Sequence, residues 1–331
     1  MIYDFFLNGR NITADILDFE YSENLDEVAS SFSFSSLRDF GLIDETDNKN
    51  PRIYNLTIRD RGSLVYFGYI TKVEHSPDQN VYKYSGFDVG FYLNQNQVVI
   101  QFRGVNIGNA IRRLCTENRI NLAALPNYNR TVAKIYKGAS VAEVLKDLQE
   151  LERGKGGIAT TYIDCKSGAL RIRSYSLLQN LRAFYSNDIP FNATGTIKDV
   201  SVSQTFENRK NRVLVANNDE KSVATIASSD AAAIRLYGQL THVERVDTNK
   251  NNNLPQIARD KLIELNQNNT QISLTMLGDW RIAKGVVIPI NVPEYGLSGN
   301  YLILSAKHSI DDKREEIQLT VRRRLRENFN N

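Results

Sequence analysis

The sequence predicts a mixed, β-dominated fold: two β-barrel domains, an α/β middle domain between them, and a helical insert in the second barrel. Three observations predict it. The last quarter of the chain, Thr270 to Arg326, alternates apolar and polar residues in short runs punctuated by Gly, Asp and Asn. A similar pattern with similar punctuation stands at residues 52–90. Between the two, apolar residues recur at helical spacing.

In the C-terminal stretch, Ile272, Leu274 and Met276 alternate with Gln271, Ser273 and Thr275. Gly278-Asp279 breaks that run, Val286–Val292 is a second extended segment, and Gly296-Leu-Ser-Gly-Asn300 carries turn residues. Tyr301–Ile310 is the third run. The fourth, Glu316–Leu325, follows Asp311-Asp312-Lys313 and places Ile317, Leu319 and Val321 on one side. Such patterning marks an antiparallel meander with one buried face. Four strands need a partner layer or closure to cover that face, so a barrel is expected. The earlier copy reads Gly68-Tyr69, then His75-Ser76, then Asp78; the later reads Gly299, Tyr301, then His308-Ser309, then Asp311. This echo predicts a duplication, with His75 and His308 at equivalent strand ends in a structural role.

Taken in order, residues 1–93 form the first β domain. Asn8-Gly9 is a hairpin signal. Strands are expected over Ile16–Tyr21, Ala29–Leu37, Ile53–Arg59, Leu64–His75 and Val81–Val89, with a polar excursion at 39–51. Residues 94–185 form the α/β domain. Asn106 caps a helix bearing Ile107, Ile111, Leu114 and Cys115 on one face. Ser140-Val-Ala-Glu143 is a capping box, and Val141, Val144, Leu145, Leu148 and Leu151 form the apolar stripe behind it, expected to be core. Short strands are expected at Thr131–Tyr136, Ile158–Asp164 and Leu170–Ser174. Residues 186–331 form the second β domain, with a helical insert at about 225–268. There Ser228-Ser229-Asp230 can cap a helix ending at Gly238, and Pro255 opens another bearing Ile257, Ala258, Leu262 and Leu265.

Composition excludes several classes of function. A formal net charge of +3 provides no global field for nucleic acid. No stretch approaches the roughly 20 apolar residues of a membrane span, and the first residues lack the basic start and apolar core of a signal peptide. Two cysteines, Cys115 and Cys165, are too few for a disulfide framework and fit a reducing cytoplasm. The three histidines, His75, His242 and His308, fall in no metal-ligand spacing, so no metal and no cofactor are expected. Gly154-Lys-Gly-Gly157 lacks the spacing of a phosphate loop and reads as the exit of the preceding helix. No nucleophile elbow occurs, and Cys115 falls on an apolar helix face, so no catalytic residue is expected. Arg322, Arg323, Arg324 and Arg326 form a dense basic run without interleaved aromatics, the pattern of a solvated or interface edge. The aromatics Tyr82, Tyr84, Phe87, Phe91 and Tyr92 read as strand residues in the core.

The order of domains, and the closing pattern around Gly278, Asp279, Gly285, Ile288, Gly299, Tyr301, Ile303, His308 and Ile310, resembles baseplate hub proteins of the XkdQ/YqbQ type from contractile phage tails and phage-tail-like bacteriocins. Leu236, Tyr237, Gly238, Ala258 and Leu262 resemble the helical insert of that family. The resemblance spans nearly the whole chain, rests on packing and turn residues, and lacks any appended cell-wall hydrolase. It implies two tail-tube-like barrels and a structural, non-enzymatic protein. Three copies would offer six barrels to the six-fold tail tube and hold the three-fold central spike. The partners so implied are the chain itself as a homotrimer, the tail tube protein and the central spike protein. Tape-measure protein and baseplate wedge components are further partners the resemblance allows; membrane and sequence-specific nucleic acid are not implied. The implied location is the virion or a phage-tail-like particle, assembled in the host cytoplasm. The alternative from the residues is a carbohydrate- or peptide-binding β-module, which calls for an exposed aromatic cleft and a monomer.

Overall fold

The computed structural model describes residues 3–41, 54–76, 78, 80–154, 160–178, 180–182, 188–190, 197–217, 225–246, 254–266, 269–311 and 314–323. Strands dominate. The chain divides into two compact units: Met1–Leu148, Thr160–Ser201 and Ile272–Asn331 form the first, and Gln149–Ala159 with Val202–Gln271 form the second.

The first unit is built on one 13-stranded sheet. Its N-terminal strands are β1 (Asp4–Leu7), β2 (Arg10–Asn11), β3 (Asp18–Asn24), β4 (Ser31–Ser36), β5 (Asn55–Asp60), β6 (Ser63–Ser76) and β7 (Val81–Asp88). Asn8-Gly9 and Arg61-Gly62 each take positive φ and join β1 to β2 and β5 to β6 through two-residue turns. Phe19 and Tyr21 of β3, Phe32 and Phe34 of β4, Leu56 and Ile58 of β5, Tyr66 of β6 and Tyr84 of β7 point into one core. The polar residues between them face out, as period-two strands require. After β7 the helix α1 (Gly90–Gln95) carries Phe91 and Tyr92, which are therefore helical and not strand residues as expected.

The α/β stretch follows. Strand β8 (Gln97–Asn106) was not anticipated, although Val98, Ile100 and Phe102 alternate into the core. It pairs antiparallel with β10 (Thr131–Ser140), which runs four residues beyond the expected end. Helix α2 (Ile107–Glu117) starts where Asn106 accepts from Gly108 N at 2.9 Å. Helix α3 (Val141–Arg153) starts at the anticipated box: Glu143 accepts from Ser140 N at 2.7 Å, and Ser140 Oγ from Glu143 N at 3.1 Å. Val141, Val144, Leu145 and Leu148 are fully buried, but Leu151 is 38% exposed, so the stripe ends one turn early. Strands β9 (Leu122–Ala124), β11 (Thr161–Asp164) and β12 (Leu170–Ser174) form a small sheet beside them.

Short strands β13 (Ser176–Leu177), β14 (Asn180–Arg182) and β15 (Asp188–Pro190) lead to β16 (Ile197–Thr205), through which the chain enters the second unit. That unit holds β17 (Arg212–Asn217) between β18 (Thr225–Ser229) and β19 (Thr241–Val246), with helices α4 (Ala231–Tyr237) and α5 (Leu254–Leu265). Asp230 caps α4 by accepting from Ala232 N and Ala233 N, and Gly238 ends it, as expected. Ile257, Ala258, Leu262 and Leu265 of α5 cover Val213 and Val215 of β17.

The chain returns through β20 (Asn269–Leu277), followed by β21 (Val286–Val292), β22 (Leu297–Ile310) and β23 (Glu315–Arg323). Residues 297–300, expected as turn, belong to β22; the turn is confined to Pro293–Gly296. His308 stands two residues before the end of β22, at the strand end expected for it, but is fully buried. His75 near the end of β6 is exposed.

The sheet repeats one strand order. In the N-terminal half the neighbours run β3-β4-β7-β6-β5; in the C-terminal half they run β16-β20-β23-β22-β21. Each is first, second, fifth, fourth, third in chain order. Phe32, Phe34 and Ser36 of β4 are buried at alternate positions, as are Ile272, Leu274 and Met276 of β20. The central strands β6 and β22 are each 14 residues long, and each is bulged against its partner, at Thr71 and at Leu304. Both bulges stand four residues before the histidine of the echo. Residues 202–271 are inserted between the first and second strands of the C-terminal repeat.

Candidate assembly interface

The two repeats meet edge to edge. Strand β3 pairs antiparallel with the second half of β22, from Ser305 opposite Asn24 to Ile310 opposite Phe19. A strand edge carries a row of unpaired N–H and C=O groups, so such a junction is a strong and directional contact. Beneath it lies a group of buried polar side chains.

His308 anchors this group. Its Nδ1 stands 2.7 Å from Glu315 Oε1 and its Nε2 3.1 Å from the Ile282 carbonyl oxygen. Both ring nitrogens thus face acceptor oxygens. Glu315 Oε2 accepts from the Tyr3 hydroxyl, and burial together with this carboxylate pushes the Tyr3 hydroxyl far above its ordinary pKa. The ring of His308 stacks on Trp280, centroids 5.3 Å apart, and Trp280 also contacts Tyr3, Tyr21 and Tyr66.

A second polar set lies beside the first. Glu23 of β3 accepts from Lys284 N at 2.8 Å and from the Tyr21 hydroxyl at 2.7 Å. Lys284 is buried, and its ammonium donates to the carbonyls of Glu27 at 2.9 Å and Asn24 at 3.2 Å. Asp88 accepts from Gly90 N at 2.8 Å. Burial raises the Asp88 carboxyl to about 7, against the lowering influence of Lys284 and of its hydrogen bonds.

The residues singled out from sequence divide between this junction and its surroundings. Gly278 makes the His308–Glu315 contact possible, because a Cβ there would lie 2.0 Å from Glu315 Cγ. Asp279 holds Arg281, accepting from its backbone N at 2.8 Å and from its guanidinium at 2.7 Å. Gly285 has φ +77°, and a Cβ would fall 2.4 Å from the Tyr162 ring. Gly299 lies in β22 opposite Ile290, and Tyr301, also in β22, is buried opposite Ile288. Arg322 and Arg323 are exposed at the end of β23, and Arg324 and Arg326 lie outside the described residues. Gly278 and His308 converge with the buried polar group.

Sequence reasoning missed Glu23, Asp88, Lys284 and Glu315. The signal was present as phase. Glu23 shares the face of Phe19 and Tyr21, Asp88 that of Tyr84, and Glu315 that of Ile317 and Leu319. A charged residue on the apolar face of a strand is buried unless the strand ends first.

Among the described residues no group of three or more His, Cys, Asp or Glu side chains is placed to hold a metal ion. Cys115 and Cys165 are free and buried, and burial raises the Cys115 thiol to about 11. Among the described residues no helix is long and apolar enough to cross a membrane.

The chain thus repeats a five-strand order and buries polar side chains at the seam between the two repeats. The same fold occurs in a tail protein from Neisseria meningitidis MC58, with a TM-score of 0.70 and 12% identity, covering 98% of this chain and 97% of that one. It occurs again in the 43 kDa tail protein of prophage MuSo2 from Shewanella oneidensis, with a TM-score of 0.68 and 13% identity over 97% and 98% of the two chains. The chain belongs to the YqbQ-like family, whose model matches residues 19–322. It is 22% identical to the uncharacterized protein YqbQ of Bacillus subtilis, over 79% of this chain and 78% of that protein. To the phage-like element PBSX protein XkdQ of the same organism it is 20% identical, over 74% of each.

Proposed function

We propose that this chain is the structural hub of a contractile tail baseplate, a homotrimeric adaptor between the six-fold tail tube and the three-fold central spike. The observation that carries the reading is the repeated strand order, β3-β4-β7-β6-β5 and β16-β20-β23-β22-β21, with matching bulges at Thr71 and Leu304. Two similar halves in one chain let three chains present six similar faces, which reconciles three-fold with six-fold symmetry and leaves no tube subunit without a contact. Residues 1–93 and 186–331 then serve as the two tube-like barrels and 94–185 as the middle domain, with the helical insert at about 225–268 in the second. The buried polar side chains bond to one another and to the backbone across the seam, which supports a structural and not an enzymatic role. The partners on this reading are a second and third copy of the chain, the tube protein, the spike protein and neighbouring baseplate components. The location is a phage or phage-tail-like bacteriocin particle, assembled in the host cytoplasm.

Cryo-electron microscopy of the assembled particle tests this reading. Three copies in a closed ring between tube and spike are expected; one copy or six per particle overturns it.

A further inference from the structure

Two buried oxygens beside the seam stand without a protein partner. Among the described residues, Tyr66 Oη and Asp88 Oδ2 are shielded from solvent and have no hydrogen-bond partner. Both residues are 0% exposed. Such groups are rare in native proteins, because each one left unpaired costs its full desolvation.

The strand register brings the two together. Asp88 stands opposite Gly68 in the β6–β7 ladder, and Tyr66 precedes that glycine by two residues, on the same face. Gly68 has no side chain to separate them. A Cβ there would lie 2.9 Å from Tyr66 Cε1, so the Tyr66 ring leans over the glycine. Burial raises the pKa of the Tyr66 hydroxyl, and Asp88 is the first of the charges that add to the effect. The neighbouring polar atoms are already engaged. Asp88 Oδ1 accepts from Gly90 N at 2.8 Å, and the Tyr21 hydroxyl donates to Glu23 at 2.7 Å. The Ser30 hydroxyl lies within bonding reach of both Tyr21 and Asp88.

We propose that this spot is a binding site for one ordered water molecule, which bridges Tyr66 Oη and Asp88 Oδ2. Water fits the chemistry of the pair. It accepts from the Tyr66 hydroxyl and donates to the carboxylate oxygen, so one molecule gives both groups a partner. When Asp88 is protonated the same water accepts from it, and the bridge survives the titration of this carboxyl. A metal cation fits poorly. The Lys284 ammonium already acts on Asp88, and a cation would add a second positive charge beside it. Buried water held by two or more polar groups is an ordinary structural component of a protein interior. The site lies within a single chain and is independent of how copies assemble.

A crystal structure of the full-length chain that resolves ordered water tests it, together with the melting temperature of Tyr66→Phe. A density peak within hydrogen-bond distance of both Tyr66 Oη and Asp88 Oδ2 is expected in the parent. The sign of the melting shift is a second readout. Deleting a hydroxyl that bonds to water lowers the melting temperature, whereas deleting one that is buried without a partner relieves its desolvation and raises it. Tyr66→Phe is therefore expected to melt below the parent. The site is overturned by an empty position between the two oxygens, by a direct hydrogen bond between Tyr66 and Asp88, or by a Tyr66→Phe variant at least as stable as the parent. Replacement of the peak by a heavier scatterer after soaking in rubidium chloride identifies a monovalent cation and overturns the assignment to water. If Tyr66→Phe does not fold, the parent crystal alone decides.

Discussion

Gly278 lies against the Glu315 side chain so closely that a Cβ on residue 278 would fall 2.0 Å from Glu315 Cγ and 2.4 Å from its Cδ. The glycine also donates its N–H to the Glu315 carbonyl at 2.9 Å. Gly278→Ala therefore displaces the carboxylate that His308 and Tyr3 share. The expected loss is at the upper end of the roughly 1–3 kcal/mol typical of overpacking, read from chemical denaturation. A variant as stable as the parent shows that Glu315 relaxes without losing its partners.

His308 and Glu315 should couple strongly. Removing one partner of a buried hydrogen-bonded pair leaves the other unsatisfied and costs roughly 1–3 kcal/mol, more where the remaining group is charged, whereas replacing both by apolar groups of the same shape can be nearly neutral. His308→Leu and Glu315→Leu should each lower stability in that range, and the double variant should recover much of the loss, although Tyr3 then lacks its acceptor. A double-mutant cycle with no coupling between the two positions contradicts the contact.

Asp88 sets a pH dependence of definite sign. Its carboxyl is raised by burial from 3.8 to about 7. Below pH 3.8 both folded and unfolded chains hold the proton. Between there and about 7 only the folded chain does, so its contribution to stability is lost as the pH rises through that window. Asp88→Asn keeps an oxygen for the Gly90 N–H and removes the titration. Melting temperature against pH should fall less steeply from pH 4 to 7 in the variant than in the parent. Parallel curves refute the assignment.

The strand periodicity, three helix caps and the duplicated meander were legible in the sequence because each rests on local chemistry: alternation, a capping side chain, a two-residue turn. The Gly-Tyr…His-Ser echo pointed at the real repeat, yet its two histidines have opposite surroundings. His308 is buried because β3 covers its edge, and β3 is nearly 300 residues away in sequence. Local pattern cannot show which edge a distant strand covers. For the same reason Glu23, Asp88 and Glu315 were missed, although each lies in phase with an apolar face. Leu151 erred the other way: helical spacing extended the stripe past the point where the core ends.

That end of the stripe gives a sharp contrast within one helix. Leu148 of α3 is 0% exposed, among Ile111, Leu114, Val144 and Leu145 in the core of the α/β stretch. Leu151, one turn on at the same helical phase, is 38% exposed. Both substitutions to alanine remove the same atoms and both raise helix propensity slightly, so the difference between them reports burial alone. Leu148→Ala should cost roughly 2–5 kcal/mol, as deletions from packed cores do. Leu151→Ala should stay within about 1 kcal/mol, since its side chain already meets solvent. Denaturant titrations of both variants decide the point. Equal losses would mean that Leu151 is covered in solution by a surface that seals the end of the helix, and the core would then extend one turn further than the structure places it.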